Sequence, residues 1–169
     1  PVTRADAVDG QVVAVSGPLG GSRAGLEQLE RSERIDEDSI RLFLRPNPRI
    51  GAGLEAALYG ATAMMDLSDG LVRDGGRLAR ASGVTIDLDR GALASDVAQL
   101  AGLAAELGAD PWEWVLHGGE EHAMLATFAT EELPPGFRAI GRVLPPAPQG
   151  PGVLLGGVPI EGEGFDHFA

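Results

Sequence analysis

The sequence predicts an α+β fold, and three observations carry that prediction. Strand-like runs alternate with helical stretches through most of the chain, the last strands follow one another with no helix between them, and the composition is that of a globular protein. Strands interleaved with helices call for a sheet with helices packed on it. The unbroken late strands set the chain apart from a doubly wound Rossmann sheet.

Val12 to Val15 is a short β-branched run bounded by Asp9-Gly10 and Ser16-Gly17. The period changes in GPLGGSRAGLEQLER, where Ser22 is placed to cap a helix carrying Leu26 and Leu29 on one face. RPNPRIG is a break, because Pro46 and Pro48 remove donors and restrict the residues before them. AGLEAALYGA is a short helix that leads into the apolar run Ala61 to Leu67. A helix follows from about Asp69 to Ala81, with Leu71 and Leu78 on one face and Gly83 as its stop.

VTIDLD alternates as a strand, and SDVAQLAGLAAELG is an amphipathic helix opening on Ser95 and closing on Gly108. After DPWEWVLHGGEE come the strands HAMLATF and FRAIGRVL. GVLLGGVPI reads as a hairpin about Gly156-Gly157. No internal repeat is present.

Length and charge narrow the function. A chain of 169 residues can form one domain with a real core, or half of a larger enzyme. Hydrophobic residues at 44% and charged residues at 22% exclude a disordered chain. The 13 basic and 25 acidic residues give a net charge of −12, which argues against a non-specific nucleic-acid or membrane-surface binder. That balance suits a ligand that arrives with cations, since carboxylates can carry Mg²⁺ to a phosphate. The absence of cysteine excludes disulfides, thiolate nucleophiles and Cys-based zinc sites.

No apolar run is long enough to span a bilayer, and Arg4 and Asp6 interrupt the start, so it does not read as a signal peptide. The expectation is a cytoplasmic protein. The opening PVTRADAVDGQVVAVSG runs from a polar turn straight into a strand, as the middle of a longer protein would.

Four stretches could carry chemistry. The glycine loop GPLGGS sits between a strand and a helix, where backbone amides can turn toward an anion. It lacks the GK[ST] of a P-loop and is no GxGxxG, and its plainer reading is a tight turn. DLSDG places Asp66 and Asp69 around Ser68 at the end of an apolar run. Either Ser68 or Asp69 caps the next helix, or the carboxylates hold Mg²⁺ and the hydroxyl meets a phosphate. HGGEEHAM makes a sharp turn that exposes Glu120 or Glu121 at a strand start, or merely solvates them. His117 and His122 do not share a helical face there, so zinc is not expected. In the tail GFDHFA, Phe165 and Phe168 either tuck into a core or stack on a flat ligand.

Taken in order, VTRADAVDG, GPLGGSRAGL, RPNPRI, MMDLSDGL, ASGVTIDLD, HGGEEHAML and GFDHF resemble the C-terminal half of the thiamine-monophosphate kinase family. The resemblance covers essentially the whole chain. That family belongs with the aminoimidazole ribonucleotide synthetases and selenophosphate synthetases. The resemblance implies a three-layer α/β/α domain with a mixed sheet, and transfer of the ATP γ-phosphoryl to thiamine monophosphate with Mg²⁺. By motif position it implies that Arg4 and Ser68 contact ATP, that Asp66 and Asp69 are Mg²⁺ ligands, and that Glu120 and Phe165 contact the thiamine substrate.

The chain departs from the family in having Gly-Gly-Glu-Glu where Gly-Gly-Glu-Asp is usual, so Glu121 is longer by one methylene. The family's N-terminal half, with further acidic ligands, a Gly-Gly-Asp segment and a homodimer interface, has no counterpart here. The isolated chain is therefore expected to be nearly inactive. Two alternatives stand beside this reading. One is another ATP-dependent synthetase or maturation protein of the same superfamily, and the other is a non-catalytic nucleotide-binding domain.

Overall fold

The β-branched run Val12–Ser16 (β1) is buried along its whole length, as only a central strand can be. The computed structural model describes residues 1–160 and places β1 in the middle of a mixed sheet of seven strands. The remaining elements are α1 (Gly21–Glu30), α2 (Glu37–Leu44), α3 (Ala52–Leu58), β2 (Ala61–Asp66), α4 (Leu71–Ser82), β3 (Thr85–Leu88), α5 (Arg90–Leu107), α6 (Pro111–His117), β4 (Met124–Phe128), β5 (Phe137–Leu144), β6 (Gly152–Leu155) and β7 (Val158–Pro159). The strand order is β2-β4-β1-β5-β3-β6-β7. Among the described residues only β3 and β6 pair in parallel; every other neighbouring pair is antiparallel. The expected α+β class is what the chain adopts.

Alternation along β1 divides the core. Val13 and Val15 face a helical layer built from Leu71 and Leu78 of α4, Leu93 of α5 and Leu116 of α6. Ala14 faces the other way, against Ala126, Phe128 and Ala56 of α3. Phe128 and Phe137 meet edge to face at 5.9 Å in that second, thinner layer. The covering is heavy on one face and light on the other.

Several boundaries differ from expectation for local reasons. Ser22 does not cap α1; the cap position is Gly20 at φ 89°, and Ser22 is buried inside the first turn. The long helix α5 begins at Arg90 and not at Ser95, because Asp89 accepts from the amides of Gly91 and Ala92. Asp110 caps α6 in the same way, with Pro111 just inside the helix. Neither α2 nor α6 was expected. α2 is a short helix begun by Asp36, which accepts from Asp38 N at 3.1 Å. The first residues run beside β2, where Met64 N donates to Thr3 O at 2.7 Å.

Candidate functional site

Strand direction brings three loops to one end of the sheet. β1 and β2 both run antiparallel to β4, so the ends of β1 and β2 flank its beginning. Val15 and Met65 each pair with Leu125, and Asp66 lies opposite Met124. The loops 17–20, 67–70 and 118–123 therefore converge, which brings GPLGGS, DLSDG and HGGEE together.

Backbone bonds stitch the last two loops. Glu120 N donates to Ser68 O at 3.0 Å, His122 N to Leu67 O at 3.1 Å, and Leu67 N to Ala123 O at 2.8 Å. The approach is too close for side chains. A Cβ on Gly119 would lie 2.4 Å from the Ser68 carbonyl oxygen, and one on Gly70 would lie 2.8 Å from that of His117.

The acids of these loops divide into two kinds. Asp66 is exposed at the end of β2. Asp69 is mostly buried, with its side chain 15% exposed, and bridges to Arg77. The Arg77 guanidinium also holds Asp74, at 2.6 Å. Asp74 is fully buried, and its Oδ2 accepts from Ser68 N at 2.9 Å and Asp69 N at 2.8 Å. Neither Ser68 nor Asp69 caps α4, which has Gly70 at its cap position and no side-chain cap; Asp74 in the first turn reaches back to the loop amides instead. Burial raises the Asp74 carboxyl above the ordinary aspartate range, against the Asp69 amide, the Arg77 guanidinium and the Ser68 amide, which pull it down.

Glu120 and Glu121 turn opposite ways. Glu120 is exposed, with His122 Nε2 3.4 Å from its Oε2. It lines a groove of about 800 Å³ together with Ser22, Arg23, Phe43, Ser68 and His117. Glu121 faces inward. Its Oε1 accepts from Ser22 N at 3.1 Å, and the Gly20 amide also donates to it. Burial pushes the Glu121 carboxyl up to about 7, the two amides pull it down, and the nearby Asp96 charge raises it again. Asp96 in turn accepts from Leu19 N at 3.1 Å and from Arg138 at 2.6 Å. The anion-seeking amides of the glycine loop are thus bonded to the protein's own carboxylates, in keeping with its reading as a tight turn.

Arg4 is exposed, and its backbone oxygen accepts from the Ser82 hydroxyl at 3.2 Å. Phe165 lies outside the described residues. Sequence reasoning missed Asp74, Arg77 and Asp96. The signal for Asp74 was an acid in a helix's first turn, where the free amides favour one.

The groove's chemistry is amphiphilic: Leu26, Phe43 and Pro46 give it apolar wall, while Arg23, Glu30 and Glu120 bring charge. A cleft of that size suits an organic ligand with a few placed polar groups. Among the described residues no group of three or more His, Asp or Glu side chains is placed to hold a metal ion. Mg²⁺ is commonly held by one or two protein carboxylates, with phosphate oxygens and water completing the set. The exposed Asp66 fits as one such ligand. Asp69 fits as a second only by sharing or leaving Arg77. No helix among the described residues is long and apolar enough to cross a membrane.

No family model matches the chain. Individual relatives do. Along all 169 residues it is 44% identical to a thiamine-monophosphate kinase of Mycobacterium tuberculosis, covering 48% of that protein. It is 39% identical over 167 residues to the enzyme of that name from Aquifex aeolicus, covering 94% of this chain and 52% of that one. Among solved structures, AaThiL complexed with AMPPCP and TMP superposes with a TM-score of 0.86 at 37% identity, over 99% of this chain and 54% of the other. Escherichia coli HypE shares the fold at a TM-score of 0.66 and 20% identity, over 98% of this chain and 52% of the other. The chain spans about half the length of the curated relatives it matches.

Proposed function

The chain belongs to the thiamine-monophosphate kinase family, and from that premise we propose that it supplies one wall of a site that phosphorylates thiamine monophosphate. The observation that carries the reading is the convergence of DLSDG and HGGEE at one groove, in a chain matched to these kinases over its whole length.

An oxygen of the acceptor phosphate attacks the γ-phosphorus of ATP, and the bond from that phosphorus to the β,γ-bridging oxygen breaks. Thiamine diphosphate and ADP result. A phosphate monoester, with its second pKa of about 6, is already mostly ionised at neutral pH, so no general base is required. The work lies in bringing two polyanions together in line. Magnesium would neutralise and orient the phosphates, with Asp66 and Asp69 as its ligands in this chain. Ser68 and Arg4 would meet ATP. Glu120 would face the cationic thiazolium or the aminopyrimidine, and Phe165 would stack on a thiamine ring.

The rest of the relatives' length would supply the other metal ligands and the contacts of a homodimer, and the chain alone would turn over little. The test is Mg²⁺-dependent formation of thiamine diphosphate from ATP and thiamine monophosphate by the full-length protein. Formation of product without Mg²⁺, or no product at all, would sink the reading.

A further inference from the structure

The turn that presents Glu120 is held in an unusual backbone form. Glu120 and His122 are both left-handed, at φ 64° and φ 50°, and neither is glycine. Such conformations persist only where the surroundings over-determine them. Three anchors are backbone donors: Glu120 N to Ser68 O, His122 N to Leu67 O, and Met124 N to the Ser16 hydroxyl at 2.8 Å. The fourth is the side chain between the two left-handed residues, Glu121, bonded to the start of α1.

We infer that Glu121 is a positioning residue: its inward carboxylate, clasped by the Gly20 and Ser22 amides, fixes the turn that offers Glu120 to the groove. The inference rests on the proposed function for its effect on substrate, but the clasp itself is a property of this chain. Charge sets its strength. A carboxylate accepts an amide hydrogen bond about twice as strongly as a neutral group does. No cation is paired with Glu121 among the described residues. Asp96 of α5 faces it and is itself paired with Arg138 of β5. His122, Asp36, Asp38 and Arg49 line the same small cleft. Deprotonation of Glu121 should therefore strengthen its two amide bonds as the pH rises, while burial of the new charge costs the fold as a whole stability over the same range.

Glu121→Gln keeps the shape and removes the charge, so two readouts test the clasp. In wild-type chain the Gly20 and Ser22 amide resonances should titrate together with a midpoint near the pKa of about 7. In the variant those shifts should vanish. Amides that do not titrate, or that titrate equally in the variant, would overturn the inference.

In the full-length enzyme, the ratio of variant to wild-type KM for thiamine monophosphate should rise from near unity at pH 6 to about fivefold at pH 8, with kcat and the KM for ATP unchanged. A ratio that ignores pH, or an equal effect on ATP, would count against it. If thiamine monophosphate proves not to be a substrate, the proposed function fails, and the amide titration still decides the clasp.

Discussion

The loop after β2 and the loop before β4 solve one problem in two ways. Each bares one acid at its outer side, Asp66 in the first and Glu120 in the second. Each also has an acid turned inward onto backbone amides: Asp74 of α4 accepts from Ser68 and Asp69 of the first loop, and Glu121 of the second accepts from Gly20 and Ser22. The difference is what stands behind the inward acid. Arg77 backs Asp74, so the inward acid has a cation beside it. Behind Glu121 stands Asp96, a like charge, and burial is left to lift it to about 7. The same arrangement of acid and amide thus gives a fixed loop on one side of the groove and a pH-sensitive one on the other.

The largest effect expected separates the outward acids from the inward ones. Asp66→Asn should cut kcat/KM of the full-length protein by at least about a hundredfold, as loss of a metal ligand does, while its thermal unfolding is unchanged. Normal turnover in that variant would remove Asp66 from the metal site.

Next comes the fixed loop. Asp74→Ala takes the shared acceptor from two part-buried amides and leaves Arg77 with Asp69 alone, and should lower unfolding free energy by roughly 3 kcal/mol in urea titration. A loss below about half that figure would show that the Ser68 and Asp69 amides find other partners.

The pH-sensitive loop should show a smaller, sloping effect. Glu121 has a folded pKa of about 7 against an ordinary 4.5, so the folded chain holds the extra proton between those values. Stability that is fully present below the lower value is lost as pH rises through the upper one. The loss should reach roughly 2 kcal/mol once partial exposure is discounted. Glu121→Gln should flatten the slope between pH 5 and pH 8 in denaturant titrations; an unchanged slope would assign it to another group.

A control lies away from both loops. Asp89→Ala removes the cap of α5 and should cost about 1 kcal/mol, with KM for both substrates unaltered.

Much of the sheet was legible from residue patterning. The run Val12 to Val15, the apolar stretch into Asp66, and FRAIGRVL each announce a strand by composition alone, and Gly83 and Gly108 announce helix ends. Helix starts were harder to read. Ser22 and Ser95 are good capping residues by type, but Gly20 and Asp89 take those positions. The Ser22 amide instead meets a carboxylate 99 residues away in sequence, a partner that no local window contains. The site divides along the same line. DLSDG and HGGEE are readable as motifs. The division of labour within GGEE is not, because it depends on which side of the turn meets α1. Asp96 sits on a helix whose sequence gives no hint that one of its acids reaches the glycine loop and Arg138.

One consequence follows from the bond between Thr3 and Met64. β2 stands at the edge of the sheet, where a strand of unpaired backbone groups is a template for another chain. The N-terminal segment lies along that edge and takes one of its amides. Residues 1–5 thus cover part of that edge as well as carrying Arg4. Loosening that segment would bare the Met64 amide two residues before Asp66, so the order of the edge and the aim of that carboxylate are linked.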